Sequence, residues 1–242
     1  MTRWSPGMLL VVTMLAVAFG CAHRAPTIAH VHIGHAITGA HDTPGRIGYL
    51  TLAEEQARAA LAKAEAAVGD VPLADVQRNV SEVNDITNRF RPYPLTGAVE
   101  EAASHIEYAA LSADASANVK AGYRRFAETI EGVLTRGSLI DSYARDIAAT
   151  GSPDEAQTLA QEVHRLARAN VFGEDVDGDG SVGSQPEEYG LVQIREDLDA
   201  LVGRENPPYV TVDRWYLFNL IRLPSGEWIF PRSGSRGSRA YQ

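Results

Sequence analysis

The sequence predicts a mainly α-helical protein, an antiparallel helical bundle that ends in a short C-terminal β-hairpin. Apolar residues recur at intervals of three and four from Thr51 to Ala169, a spacing typical of amphipathic helices. These stretches are rich in alanine, whose small side chain lets helices pack closely. The chain has 242 residues, of which 45% are hydrophobic and 22% charged. This composition is that of an ordinary globular protein large enough to bury a sizeable core.

Residues 1–20 predict a signal peptide. Arg3 supplies a positive charge, and the apolar run that follows covers about 12 residues, too few to span a bilayer of ~30 Å as a helix. The run ends in Val-Ala-Phe-Gly-Cys21, which resembles the lipobox of bacterial lipoproteins. The resemblance implies that Cys21 becomes the acylated first residue and anchors the chain in a membrane. With Ala22 rather than aspartate next, it also implies the outer membrane, with the protein facing the periplasm.

Residues 21–50 predict an extended arm, because Pro26, Pro44 and several glycines occur without helical periodicity. Five of the seven histidines lie in this arm, between His23 and His41. If the arm is extended, His30 and His32 project to one side, and Gly34 permits a turn that lets His35 join them. We therefore expect imidazoles to converge here.

A bundle helix could complete this cluster of histidines. His105 lies one turn after a glutamate on such a helix, and the arm could pack there. The sequence thus predicts a site of nitrogen and oxygen ligands suited to Cu(II), Zn(II) or Ni(II), drawn from His30, His32, His35, His41, His105 and Glu101. The alternative is that the arm histidines are solvated and that His105 is an ordinary residue of its helix.

Residues 51–171 predict the helical bundle. Thr51 and Glu54 have the spacing of a capping box, which predicts a first helix that ends near Val68. A second helix is expected from Leu73 to Phe90, with Phe90 on its buried face. Three further periodic stretches, around 99–110, 119–133 and 139–147, predict three more helices, with Leu139 among the apolar positions. Ser152, followed by Pro153 and two acids, predicts the cap of a last bundle helix that ends near Ala169.

Residues 172–203 contain an acidic loop and a predicted exit helix. The segment from Asp175 to Val182 resembles the calcium-binding loop of EF-hand proteins, in which alternating acids face the ion and a glycine allows the sharp turn. The resemblance implies side-chain ligands at Asp175, Asp177 and Asp179, a backbone carbonyl at Ser181, a water-mediated contact at Gly183 and an inward-packed Val182.

The final ligand of this loop departs from the EF-hand pattern. The twelfth position is Pro186, so Glu187 or Glu188 is expected to supply the bidentate carboxylate from a slightly longer loop. Ser184 and Glu187 have capping-box spacing for the exit helix. Three carboxylates this close repel one another unless a cation neutralises them. We expect weak, structural calcium binding, with a Kd on the order of 10⁻⁴ to 10⁻³ M; the alternative is a solvated acidic turn.

Residues 204–231 predict a hairpin, because β-prone residues from Trp215 to Leu223 and from Trp228 to Phe230 flank a Pro-Ser-Gly turn. The hairpin either packs across the end of the bundle or offers an apolar surface to another envelope protein. Residues 232–242 predict a flexible basic tail.

Composition excludes several functions. The formal net charge is −9, which argues against nucleic acid as a partner. All three methionines and the single cysteine lie in the first 21 residues. Cleavage before Cys21 removes the methionines and acylation blocks the Cys21 thiol, so the mature chain has no cysteine nucleophile, thiolate zinc site or iron–sulfur cluster. No G-x-S-x-G elbow, zincin motif or other hydrolase motif is present, so no catalytic residue is predicted and an enzyme is the less favoured interpretation.

These observations lead to three hypotheses. The first is a non-enzymatic, lipid-anchored envelope binding protein with a structural calcium site and a histidine-based transition-metal site. The second is a calcium-stabilised scaffold or interaction lipoprotein in which the histidines are incidental. The third is a metal-dependent enzyme, in which three histidines bind zinc and leave one position open.

Overall fold

The computed structural model describes residues 27–90, 92–205 and 209, and the backbone of three short strands. The predicted signal peptide, the lipidation site Cys21, the hairpin turn at 224–226 and the basic tail lie outside the described residues. Over the described residues the protein is mainly helical, with helices that pack against one another, as the sequence predicts.

The first described element is a helix, α1 (Ile28–Ile37), where the sequence predicted an extended arm. That prediction was wrong because a local cap and a distant carboxylate hold this segment in a helix. The Thr27 side chain accepts the N–H of His30 at 3.0 Å. The Asp114 carboxylate accepts the N–H of Ile28 at 2.7 Å and that of Ala29 at 3.1 Å. A short 3₁₀ turn (Pro44–Arg46) follows.

Helix α2 (Tyr49–Glu65) begins two residues before the predicted cap. Gly48 occupies the N-cap position, and a Cβ there would lie 2.4 Å from the backbone carbonyl carbon of Ile37. The predicted capping box at Thr51 is therefore wrong, since Thr51 already lies inside the first turn and its hydroxyl donates to the Ile37 carbonyl at 3.3 Å. The close approach of two chain segments fixes the start of α2.

Helix α3 (Leu73–Asn84) continues as a short π-helix (Asp85–Arg89). Its predicted bounds are close to those found, but Phe90, expected on the buried face, is 47% exposed. The π-helix widens the last turns, so the helical spacing that placed Phe90 inside no longer applies.

Helix α4 (Leu95–Leu111) precedes α5 (Ala117–Ala149), a single helix of 33 residues where two were predicted. Gly137 does not break α5; a Cβ there would lie 2.6 Å from Thr96 Cγ2, so the glycine lets another helix approach. Leu139, expected in the core, is 40% exposed.

Helix α6 (Pro153–Phe172) confirms the predicted cap, since the Ser152 side chain accepts the N–H of Glu155 at 3.3 Å.

A loop and a 3₁₀ turn (Pro186–Glu188) lead to α7 (Leu191–Gly203). Beyond α7, three short strands, β1 (Asp213–Trp215), β2 (Leu220–Arg222) and β3 (Trp228–Ile229), form antiparallel pairs in the order β1-β2-β3. A single strand over 215–223 was expected, but β1 and β2 pair with Trp215 opposite Leu220. The pair of Trp215 and Leu220 thus lies within the stretch predicted as one strand, and the residues between the strands lie outside the described part.

One core joins the described helices. Its buried side chains come from α1 to α7, and alanine is the commonest of them. The most extensive contacts are those between α1 and α4, α5 and α6, and α4 and α5. In the described residues, no helix combines the length and apolar character needed to cross a membrane.

Candidate metal centres

Three histidines converge where α1 packs against α4. His32 and His35 lie one turn apart on α1, and His105 faces them from α4. One ring nitrogen of each lies within 4.8 Å of the corresponding nitrogens of the other two. The Nδ1 atoms of His32 and His105 are 3.1 Å apart, and the ring centroids of His35 and His105 are 4.9 Å apart. We call these three residues the histidine centre; all three are half-buried.

The helical conformation of α1 decides which histidines meet. Residues three apart share a face of a helix, so His32 and His35 point together. An extended arm would have paired His30 with His32, and this part of the prediction was wrong. His30 is buried, and its Nε2 lies 3.1 Å from Glu205 Oε2. Glu205 also accepts hydrogen bonds from Ser116 and Asn118, so His30 belongs to a polar network that joins α1, α5 and the end of α7.

Two other predicted ligands lie outside the histidine centre. His41 is exposed on the loop between α1 and α2, and its ring centroid is 6.4 Å from that of His35. Glu101 lies one turn before His105 on α4, and its carboxylate is not among the converging groups. The structure thus brings together three of the six predicted residues: His32, His35 and His105.

A carboxylate beside the centre escaped the sequence analysis. Asp42 Oδ2 accepts hydrogen bonds from the hydroxyls of Tyr49 and Tyr93, each at 2.7 Å. The Tyr49 ring in turn stacks on His105, with centroids 5.3 Å apart and an interplanar angle of 21°. The only sequence signal was that Asp42 directly follows His41. The two tyrosines are distant in sequence and gave no signal.

The electrostatics of this region favour a cation. Burial lowers the pKa of His32, and burial together with the neighbouring histidines lowers the pKa of His35. The same causes lower the pKa of His105 to about 4. Burial works to raise the pKa of Asp42, but the hydrogen bonds from Tyr49 and Tyr93 outweigh it and hold that pKa below its usual value. At neutral pH the imidazoles are neutral, and an ionised carboxylate stands beside them.

Neutral imidazoles are ligands for borderline divalent metals such as Cu(II), Zn(II) and Ni(II). All methionines and the cysteine lie in the first 21 residues, so the described part of the chain offers no sulfur ligand. Three protein nitrogens fill three positions of a tetrahedral ion and leave the fourth open. The arrangement can therefore hold a nitrogen-preferring divalent ion.

A second group lies in the acidic loop after α6. Carboxylate oxygens of Asp175, Asp177 and Glu188 lie within 4.8 Å of one another. Glu188 is fully buried. Its carboxylate accepts N–H groups from Val176 at 3.1 Å and from Gly183 at 2.9 Å, and also bonds both the N–H and the hydroxyl of Ser184. Burial works to raise the Glu188 pKa, but these hydrogen bonds outweigh it and lower that pKa to about 2.

The other predicted calcium ligands are placed differently. Asp179 lies outside the converging group, and its carboxylate accepts the N–H of Ser181 at 2.7 Å. Glu187 is exposed, so of the two candidate final ligands it is Glu188 that turns into the loop. Gly183 donates its N–H to Glu188 Oε2 at 2.9 Å.

Two local predictions in this segment were also wrong. Val182, expected to pack inward, is 40% exposed. In place of the predicted capping box of Ser184 and Glu187, the Glu188 carboxylate accepts the N–H of Gln185 at 3.3 Å where the 3₁₀ turn begins. The helix proper begins later, at Leu191, where Gln193 Oε1 accepts the N–H of Gly190 at 3.1 Å.

The segment that carries Glu188 is fixed to the bundle. The buried guanidinium of Arg136, on α5, donates to the carbonyl of Glu187 at 2.9 Å and to that of Tyr189. It also donates from Nε to Asn170 Oδ1 at 2.8 Å. Burial lowers the pKa of Arg136 to about 10, so the group stays protonated at neutral pH. The residues on both sides of Glu188 are thus held by one side chain.

Comparison with protein-family models, with curated proteins and with solved structures finds no match.

Proposed function

We propose that this chain is a non-enzymatic binding protein for a divalent transition-metal ion, Cu(II), Zn(II) or Ni(II). The observation that carries the proposal is the convergence of His32, His35 and His105, whose ring nitrogens lie within 4.8 Å of one another. Nitrogen ligands alone select this group of metals. The lowered pKa values of all three residues support binding, because protons do not compete for the nitrogens at neutral pH.

The test is metal stoichiometry. The untagged protein, purified in detergent without chelator or metal resin, is assayed by elemental analysis and by titration calorimetry with each metal. We expect one equivalent of transition metal, lost in His32→Ala and in His105→Ala. His164→Ala is the matched control, since His164 is half-buried on α6 and lies outside the histidine centre. If wild type and His105→Ala bind the same amount, the proposal fails.

We also propose that calcium stabilises the C-terminal half through the acidic loop. The grouping of Asp175, Asp177 and the buried Glu188 supports this proposal, because carboxylate oxygens are the ligands that calcium prefers. Calcium would be held by these side chains and would relieve the repulsion between them. If the histidine centre binds no metal but calcium does bind, the function that remains is a calcium-stabilised scaffold or interaction protein.

The proposed location is the bacterial cell envelope, with the chain anchored through lipid on Cys21 and facing the periplasm from the outer membrane. The resemblance of Val17–Cys21 to a lipobox supports this location. An envelope protein that docks on the C-terminal hairpin is the partner we propose for the scaffold alternative. Metabolic labelling with a fatty-acid analogue tests the anchor, and Cys21→Ser is expected to abolish the label.

A further inference from the structure

We propose that His41 becomes the fourth ligand of the histidine centre, so that the loop between α1 and α2 closes the site when a metal ion binds. This inference rests on the proposed metal-binding function. It assigns a role to a histidine that lies outside the three converging residues in the structure described here.

His41 lies beside one member of the histidine centre. Two imidazoles that share a tetrahedral ion, with metal–nitrogen bonds of about 2.1 Å, have ring centroids about 5 Å apart. The centroids of His35 and His41 are 6.4 Å apart, close to the 6.1 Å that separates those of His32 and His35. His41 therefore has to approach His35 and also turn a ring nitrogen toward His32 and His105, with which its nitrogens do not converge in this structure.

The backbone on both sides of His41 is held in place. Its neighbour Ala40 donates its N–H to the Ile47 carbonyl at 3.2 Å. The buried Thr43 hydroxyl lies within hydrogen-bond distance of the Ala40 and Ile47 carbonyls. The His41 side chain is exposed, so the ring is free to rotate on a fixed backbone next to His35.

The neighbouring carboxylate of Asp42 is the obvious rival for the fourth position. The hydroxyls of Tyr49 and Tyr93 both donate to its Oδ2 atom and hold the carboxylate against them, which leaves only Oδ1 without a tyrosine partner. Its carboxylate is also not among the groups that converge. We assign Asp42 the role of a positioning residue, which ties the loop to α2 and places His41 at the open side of the centre.

An exposed fourth ligand controls exchange. With His41 bound, the ion has no open position for a competing chelator; with His41 rotated away, that position is accessible. His41 therefore sets how fast the ion leaves, whereas the three residues on α1 and α4 set whether it binds.

The experiment uses Co(II) as the probe, because its visible absorption is intense in four-coordinate tetrahedral sites and weak when water raises the coordination number. The full chain in detergent is loaded with Co(II) and then challenged with excess EDTA. We expect intense bands in wild type and in His164→Ala. His41→Ala is expected to bind one equivalent with weaker bands and to lose it at least about 10-fold faster, since even the loss of an outer-shell partner weakens metal binding by about 10- to 100-fold. Far-UV circular dichroism checks that each variant is folded.

The possible outcomes distinguish failure of the inference about His41 from failure of the proposed function. If His41→Ala matches wild type in both band intensity and loss rate, His41 is not a ligand and the inference is overturned, while the proposed function stands. If Asp42→Asn weakens the bands and His41→Ala does not, Asp42 is the ligand and the inference is again overturned. If wild type binds no Co(II), Zn(II), Ni(II) or Cu(II), the proposed function itself fails and takes this inference with it.

Discussion

The Nδ1 atoms of His32 and His105 lie 3.1 Å apart, so one imidazole donates a hydrogen bond to the other. Two protonated rings could not make this bond, because both would be donors. Two nitrogens bound to one tetrahedral ion at about 2.1 Å lie about 3.4 Å apart. The hydrogen bond therefore holds the two nitrogens at nearly the separation that a shared metal ion imposes. For both Nδ1 atoms to bind the ion, the donor ring has to move its proton to Nε2 and both rings have to turn their lone pairs toward the ion.

Two histidines of α1 are expected to affect different properties: His30 the stability of the fold, and His32 the binding of metal. His30→Ala leaves metal stoichiometry unchanged but lowers the free energy of unfolding by about 1–3 kcal/mol, because the buried Glu205 carboxylate loses a partner. His32→Ala removes the metal and has a smaller effect on stability. Urea unfolding and elemental analysis of both variants check this prediction. Loss of metal in His30→Ala would contradict the assignment of His30 to the Glu205 network and of His32 to the histidine centre.

Of the two adjacent glutamates Glu187 and Glu188, only Glu188 is expected to be needed for calcium binding. Glu188→Gln should abolish the rise in Tm on addition of calcium, because the buried carboxylate that faces Asp175 and Asp177 loses its charge. Glu187→Gln should leave that rise unchanged, since Glu187 is exposed. Thermal unfolding with calcium and with EDTA provides the measurement. Equal responses of the two variants would contradict the assignment of Glu188.

Arg136 is expected to be essential for stability. Arg136→Lys should lower the free energy of unfolding by about 2–4 kcal/mol, because the three acceptors lie around a planar guanidinium and the single nitrogen of a lysine cannot reach all of them. Arg165→Lys is the control: Arg165 pairs with Glu162 and Glu174 near the surface, where substitutions cost about 0.5 kcal/mol or less. Denaturant unfolding compares them, and a cost below that of the control would refute the role of Arg136.

Two glycines at the ends of α7 are expected to respond differently to alanine. In Gly190→Ala the new Cβ would lie 2.2 Å from the backbone nitrogen of Gly173, which cannot move aside, and we expect a loss of about 1–3 kcal/mol. Gly203→Ala meets nothing within 4 Å and should be neutral or stabilising by up to about 1 kcal/mol. Thermal unfolding tests the pair. Equal Tm values would mean that the backbone contact at Gly190 does not exist.

The start of α1 is expected to be sensitive to pH. Burial works to raise the pKa of Asp114, but the N–H groups of Ile28 and Ala29 outweigh it and lower that pKa. A carboxylate whose pKa is lowered on folding stabilises the protein above its unfolded pKa of about 3.9, and the contribution disappears as pH falls through the folded pKa. Asp114→Ala should therefore cost about 1 kcal/mol at pH 7 and progressively less below about pH 4. A cost that did not change with pH would contradict this linkage.

Local signals predicted the parts of the fold that depend on local chemistry. The Ser152 cap is an example, because the serine and the Glu155 N–H that it accepts are three residues apart. The conformation of α1 depends instead on Asp114, which is 86 residues from Ile28. Its glycine and β-branched residues have modest helix propensity, so the one local helix signal, the Thr27 cap, did not stand out in the sequence.

The same difference between local and distant contacts decided which site residues could be predicted from the sequence. His105 could be selected because any bundle helix beside the histidine-rich segment would present it. The choice between His30 and His35 required the helical conformation of α1. The choice of Glu188 over Glu187 required the path of the chain after Pro186, which Arg136 fixes from α5. Distant contacts decided each of these details.

The predominance of alanine in the core has a consequence for how this sequence tolerates change. A buried leucine can be shortened at the cost of a cavity, whereas a buried alanine can lose only one methyl group, and most substitutions enlarge it. Most damaging substitutions at the helix contacts are therefore those that add atoms. In a library of all single variants, we expect the alanine positions of α2, α4 and α6 to accept glycine or serine more readily than leucine or phenylalanine. Sequence drift in this bundle is limited by the space between its helices more than by the apolar surface that they bury.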